Sequence, residues 1–261
     1  MMEFRLRRRM RAGELVIGSW LQFGFPQLAE MMARSGFDYL VIDMEHGAMG
    51  VAGMLNLIQV VQLAGVSPLV RVPANQAHFI KTALDAGAEG IIVPDVRSPE
   101  EARQAVAAMF YPPRGARGVG LSRAQGFGMD FEGYRNDQEP ELVLIVQLEH
   151  HRAVATALDI LAVDGVEGFL IGPYDLSGSL GKPGQFDDPE VKAQLDVVEG
   201  VIAKSAKPGG YHVVHSDHAA FRRRVEAGCR LMAYGTEMVF LGEKLRDEGD
   251  FVRGLRGERH E

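Results

Sequence analysis

Short apolar runs rich in branched side chains alternate along this chain with longer stretches whose apolar positions recur every three to four residues. The short runs lie at 15–20 (LVIGSW), 39–44 (YLVIDM), 68–72 (PLVRV), 90–95 (GIIVPD), 142–149 (LVLIVQLE), 168–173 (GFLIGP), 209–214 (GGYHVV) and 230–235 (RLMAYG). Bounded by turn residues and apolar at consecutive positions, they read as strands buried on both faces. The stretches between them, such as 26–36, 51–65, 77–87 and 98–110, carry helical spacing, and several open at Ser-Pro or close on Gly, as helix ends do. Eight such strands with intervening helices predict an α/β protein, a (β/α)8 TIM barrel of one domain over 1–261, with a first helix at about 3–12 and a polar tail at about 250–261. Active-site groups of that fold sit just beyond the C-terminal ends of the strands. The functional question therefore narrows to what stands at eight places.

Composition removes several classes of function. The length of 261 residues suits one barrel, which needs about 250. A net charge of −7 argues against nucleic-acid partners, and no apolar run approaches the roughly 18 residues that a membrane span needs. The single cysteine, Cys229, cannot form an internal disulfide, which points to a reducing, cytoplasmic setting and, by its place in the chain, to a packing role. The one strongly basic segment, RLRRRMRAG at 5–13, reads as a solvated first helix closed by Gly13.

Read at the strand ends alone, the chain is unusually rich in ionisable groups. Strand two ends in Asp43, Glu45 and His46, strand three carries Arg71, and strand five delivers Gln147 and Glu149. Strand six runs into Gly172-Pro173-Tyr174-Asp175, and strand seven supplies His212 and His215, of which at most one is expected to face the site. Neighbouring strands lie about 4.8 Å apart, so Glu149 and Asp175 can clasp one cation through oxygen alone. That donor set suits Mg2+ or Mn2+, with Co2+ or Zn2+ behind them. A cation so held can accept a chelating 2-oxo acid and stabilise an enolate, to which Arg71 adds positive charge. His46, oriented by Asp43, is of the right type for proton transfer. Each group also has a plain structural role open to it: Glu149 at a helix N-terminus, Asp175 as a helix cap, Arg71 in a buried ion pair. His150 and His151 read as helix-surface residues, and GARGVG at 115–120 lacks the preceding strand and glycine spacing of a dinucleotide loop.

VIDMEHG (41–47), RVP (71–73), YPPRGARGVG (111–120), VQLE (146–149) and IGPYDLSGSLG (171–181) occur in this order. Together they resemble the class II pyruvate aldolases of the HpcH/HpaI type, which include 4-hydroxy-2-oxoheptanedioate and 2-dehydro-3-deoxyglucarate aldolases; the similarity runs from about residue 13 to 245. The resemblance implies a TIM barrel of the phosphoenolpyruvate/pyruvate type whose last helix is exchanged with a partner subunit, usually within a hexamer, in a homo-oligomer built on dimers. It implies reversible cleavage of a 4-hydroxy-2-oxo acid to pyruvate and an aldehyde, with oxaloacetate decarboxylation as a side activity. On this chain it makes Glu149 and Asp175 the metal ligands, Arg71 the group at the enolate oxygen, and Gln147 a contact to pyruvate. Gly172, Pro173 and Tyr174 then border the carboxylate pocket, and His46 with Asp43 forms the catalytic dyad, while Glu45 has a place in the motif but no assigned role.

The chain departs from the family pattern at three places. Tyr174 stands where Ala is familiar, GLSRAQGFG (120–128, with Arg123) replaces a small-residue stretch, and YHVVHS (211–216) puts histidines in a mainly apolar strand. Glu45, Arg123, His212 and His215 are thus the candidates for substrate selection. The alternatives are a lyase of acyl-CoA or citrate-like substrates, which expects a basic cluster near the strand ends, and a phosphate-binding isomerase or synthase. The latter expects glycine-rich loops where this chain has HSDHAAF and YGTEMVF.

Overall fold

The computed structural model describes residues 4–256. Eight parallel strands close into a barrel in sequence order: β1 (Val16–Leu21), β2 (Tyr39–Asp43), β3 (Ser67–Arg71), β4 (Gly90–Val93), β5 (Val143–Leu148), β6 (Gly168–Ile171), β7 (Gly209–Val213) and β8 (Leu231–Thr236). After α1 (Leu6–Arg11), the returning helices are α2 (Pro26–Ala33), α3 (Val51–Leu63), α4 (Ala77–Asp85) and α5 (Pro99–Met109). A long connection with the single turn α6 (Phe131–Gly133) leads to β5, and α7 (His151–Ala155) and α8 (Ala157–Ala162) lead to β6. Then come α9 (Pro173–Ser179), α10 (Pro189–Lys204), α11 (His218–Glu226) and α12 (Glu237–Leu255). All eight expected strands are present within one or two residues of their expected bounds, because uninterrupted apolar runs leave a strand no solvent-facing side and hence no alternative register.

Two layers of apolar side chains follow from this closure. Outward-facing residues of the strands pack under the helices, while Val16, Val41, Leu69, Ile92, Val143, Ile145, Leu170 and Leu231 fill the barrel interior. The first helix is not solvated, as its arginines suggested. Leu6 and Met10, each 1% exposed, cap the interior cluster from the N-terminal mouth. Its arginines are satisfied sideways: Arg7 Nη2 donates to Glu167 at 2.8 Å, Arg11 Nε at 2.9 Å to the same carboxylate, and Arg9 Nη1 at 2.6 Å to Asp38. The carboxylate of Glu89 accepts the free N–H groups of Arg5 and Leu6 at the helix start.

The last helix also differs from expectation. It runs to Leu255 rather than giving way to a polar tail near 250, with residues 257–261 lying outside the described part. Thr236 caps it by accepting from the Val239 N–H at 3.1 Å. From Leu241 onward no described residue of α12 is buried; Leu245, Phe251 and Leu255 are 60%, 63% and 74% exposed. Where an eighth helix would lie against a barrel, a groove of about 560 Å³ lined by Leu15, Ile17, Phe221, Val225 and Tyr234 remains open. No helix of the described residues is long and apolar enough to cross a membrane.

Candidate active site

Strand register brings the first group together. Asp43 pairs with Arg71 across β2 and β3, and both side chains point into the C-terminal mouth. Arg71 Nε and Nη2 donate to the two Asp43 oxygens at 2.9 and 2.7 Å, a fork-on-fork pair in which the carboxylate is fully buried. Asp43 further accepts the backbone N–H groups of Glu45 and His46 and the Gln22 side-chain amide. Burial alone would raise its pKa; the Arg71 hydrogen bonds and charge outweigh that and hold it below the usual carboxylate range. The chain turns sharply here: a Cβ on Gly47 would sit 2.1 Å from the Asp43 carbonyl oxygen.

This geometry corrects one expectation. Asp43 does not orient the His46 imidazole, because five donors already fill its acceptor sites and it meets His46 only through the backbone. The ring of His46 instead lies with Nε2 at 4.0 Å from Glu45. Glu45 in turn sits 3.1 Å from Arg71 Nη1. Burial, against the pull of Arg71, pushes the Glu45 carboxyl above its ordinary value. The third acid of the motif thus stands between the arginine and the imidazole.

The second group comes from β5 and β6. Gln147 pairs with Leu170, which sets Glu149 beside Gly172 just past the strand ends. A Cβ on Gly172 would come within 2.6 Å of Glu149 Oε2, so only glycine lets the carboxyl lie there. Glu149, 7% exposed, accepts from the Asp95 N–H at 2.7 Å and from Gln147 Nε2 at 2.8 Å. Burial pushes its pKa up to about 7, and the charges of Asp175 and Glu45 add to the rise. Asp175 lies in the first turn of α9, which Pro173 opens. Tyr174 stacks edge-on against Phe186 at 5.0 Å between centroids and is 66% exposed at the rim.

The third group was not fully legible. Trp20, the chain's only tryptophan, closes the barrel interior from β1, with Arg71 Cζ 4.2 Å above its ring and the His212 ring stacked on it at 5.1 Å. Its place at the C-terminal end of the first strand was the signal that could have found it. His212 lies on the inner wall, whereas His215 sits in the loop beyond β7, its side chain 79% exposed with Nδ1 3.4 Å from Glu243. One cavity of about 700 Å³ is lined by Trp20, Arg71, Gln147, Glu149, Asp175, His212 and, at its outer edge, Tyr174, Phe186 and His215. Arg123 is not part of it: its guanidinium donates to the Ala86 carbonyl at 2.9 Å, beside Phe4 and Gln138, at the opposite mouth of this chain's barrel. The flanking histidines also take local work, His150 capping α7 through the Arg152 N–H and His151 contacting Ser179.

The donor set fits a hard divalent cation. Among the described residues no group of three His, Cys, Asp or Glu could hold a metal, so a closed zinc-type site is not what is built. What is built is a pair of carboxylates with open sides. Among the described residues Glu149 has two N–H donors but no cationic side chain against it, and the buried Gln147 Oε1 has no partner. A buried, unpaired carboxylate is costly and is stabilised by a cation. Glu149 and Asp175 would hold one from β5 and α9, leaving positions for a chelating substrate and water.

Residues 17–241 match the model of the family described as HpcH/HpaI aldolase/citrate lyase. The chain is 40% identical to a hydroxypyruvate/pyruvate aldolase of Sagittula stellata over 88% of its length and 90% of the relative's. It is 35% identical to the 2-keto-3-deoxy-L-rhamnonate aldolase of Escherichia coli, over 97% and 95% of the two chains. An HpcH/HpaI aldolase/citrate lyase family protein of Burkholderia cenocepacia superimposes with a TM-score of 0.89 at 32% identity, covering 96% of this chain and 99% of that one.

Proposed function

Because the chain belongs to the HpcH/HpaI aldolase/citrate lyase family, we propose that it is a class II aldolase that reversibly cleaves a 4-hydroxy-2-oxo acid to pyruvate and an aldehyde. The observation that carries this reading is a single cavity faced by both Arg71, with donors to spare, and the carboxylate pair Glu149 and Asp175. A divalent cation, Mg2+ or Mn2+, would supply Lewis acidity at the 2-keto oxygen.

The chain's own residues do the rest. Of the five N–H groups of Arg71, three are engaged by Asp43 and Glu45, which leaves two for the oxygen that gains charge as the enolate forms. Trp20 and Asp43 hold that guanidinium still, so little is lost to reorganisation when the charge appears. Backbone N–H groups at Tyr174 and Asp175 receive the substrate carboxylate, and Gln147 orients it. His46 Nε2 takes the 4-hydroxyl proton as the C3–C4 bond breaks. The bonding pair passes into the C2–C3 enolate, and protonation of C3 gives pyruvate. Glu45, 4.0 Å from Nε2, would stabilise the imidazolium so formed by its charge.

The oligomer follows the same logic. The apolar stripe of α12 and the open groove over β1 and α11 suit each other, and we assign them to a helix exchange between subunits, within a hexamer assembled from dimers, in the cytoplasm. The decisive measurement is exchange of the pyruvate methyl protons with deuterated water, followed by NMR. Exchange that stops with a chelator and returns with Mg2+ or Mn2+ is expected; exchange that persists in chelator removes the cation from the mechanism.

A further inference from the structure

The chemistry above leaves His212 without a task, although it lines the inner wall of the cavity. Its Nε2 lies 2.9 Å from the Gly235 carbonyl oxygen. A carbonyl only accepts, so Nε2 carries the proton. Burial first, and then the charge of Arg71, push the imidazole down to about 4 against the opposing pull of Gly235, so the ring is neutral at physiological pH. A neutral ring protonated on Nε2 has a bare lone pair on Nδ1. That nitrogen has no hydrogen-bond partner among the described residues, it is not enclosed by protein, and the ring borders the cavity beside Trp20 and Gln147. Stacking on Trp20, with planes 12° apart, keeps the ring from turning away.

We propose that Nδ1 of His212 accepts a hydrogen bond from a substrate hydroxyl and makes this enzyme selective for hydroxylated carbonyl compounds. The inference rests on the aldolase reading of the same cavity. An apolar side chain at this place in β7 would leave a bound hydroxyl desolvated and unpaired. An imidazole acceptor reverses that preference, because a substrate lacking the hydroxyl leaves Nδ1 unpaired instead. The hydroxyl can come from either half of the reaction: from C3 of the 2-oxo acid that becomes the nucleophile, or from the carbon next to the aldehyde carbonyl. Both present an O–H donor to the same nitrogen.

The test compares kcat/KM ratios in the metal-loaded wild-type, His212→Phe and His212→Gln enzymes. One arm sets hydroxypyruvate against pyruvate with a common aldehyde; the other sets glycolaldehyde against acetaldehyde with pyruvate. Phe keeps a flat ring on Trp20 but has no acceptor, whereas Gln keeps a donor for Gly235 and an acceptor for substrate. The expected result is a preference for the hydroxylated member, in at least one arm, that falls about tenfold in the Phe variant and survives largely in the Gln variant. The arm that responds identifies which half carries the hydroxyl. Ratios equal within about twofold in wild type and Phe variant overturn the proposal. A Gln variant that behaves like Phe assigns the effect to ring shape and overturns it too. If the Phe variant does not fold, His212→Leu takes its place under the same criteria, with Trp20 emission reporting whether the site is intact. Absence of turnover by the wild type with every pair strikes the aldolase reading itself, an outcome distinct from unchanged ratios.

Discussion

Two equally buried acids, one at each mouth of the barrel, are held in opposite ways. At the N-terminal mouth Glu167 is 6% exposed and receives three donors from Arg7 and Arg11. Burial there is outweighed by those hydrogen bonds, so its pKa falls below the ordinary value. At the C-terminal mouth Glu149 is 7% exposed, receives two uncharged N–H donors and, among the described residues, no cationic side chain, and burial pushes it up to about 7. Equal burial with opposite shifts shows that a cationic partner, not depth, decides the direction for these two acids. Glu149 lines the cavity proposed for the substrate and the cation.

The sharpest way to break this comparison is one substitution made at both mouths. Glu149→Gln is expected to abolish turnover, by at least about 10³-fold, and to lower Mg2+ or Mn2+ affinity in calorimetry. In the metal-free protein the same change should not reduce stability in urea at pH 8, since it removes an uncompensated buried charge. Glu167→Gln should leave turnover within about threefold and cost about 2–4 kcal/mol, because it strands Arg7 and Arg11; the exposure of Arg11 keeps the cost toward the lower end. Equal stability losses at the two sites would dismiss the distinction.

Next in size is the Asp43–Arg71 pair at the C-terminal mouth. Arg71→Ala should lower kcat by about 10²–10³-fold and also destabilise the fold by about 3 kcal/mol, since Asp43 is left buried without its partner. Asp43→Asn should lower kcat less than Arg71→Ala while raising its pH sensitivity little. A larger kcat loss in Asp43→Asn would return the proton-handling role to Asp43.

The smallest expected effect is the pH dependence of the metal-free protein, where the two mouths have opposite slopes. Glu149 has a raised folded pKa, so between about 4.5 and 7 the native state holds a proton that the unfolded chain has released. Its contribution to stability is therefore present below that window and is lost as pH rises through about 7. Glu167 has a depressed folded pKa, so its contribution is present above the ordinary carboxylate value and is lost as pH falls through the folded one. Urea melts from pH 3 to 8 should show the upper slope shrink in Glu149→Gln, with Glu45, Glu89 and Glu237 supplying the remainder, and the acid slope shrink in Glu167→Gln. Cation affinity should rise with pH up to about 7 and level off above it.

Much of this was legible one strand at a time. Glu149 and Asp175 stood out because both follow apolar strands at the same end of the barrel, although a helix N-terminus and a helix cap offered each a structural role. Arg71 did so as the only charge inside its strand. What was misread depended on direction. Asp43 and His46 are neighbours in sequence, but the tight turn at Gly47 presents the His46 backbone to Asp43 and swings the ring toward Glu45. Arg123 was placed with the substrate because its loop departs from the family pattern. Its side chain instead reaches the Ala86 carbonyl at the far mouth. Trp20, an aromatic in an apolar strand, looks like packing until its neighbours across the barrel are known.

By itself the sequence determined the number, order and character of the strands, since hydrophobic period and turn chemistry are local properties that each segment carries alone. It also determined which residue types arrive at the C-terminal mouth, because parallel strands all end on one side. Only the tertiary structure decided who pairs with whom. Register set Asp43 on Arg71, closure set His212 against Trp20 and Gly235, and the floor of the barrel turned an arginine-rich helix into a plug. Pairing and burial depend on distances between segments remote in the chain, and those distances exist only once the barrel has closed.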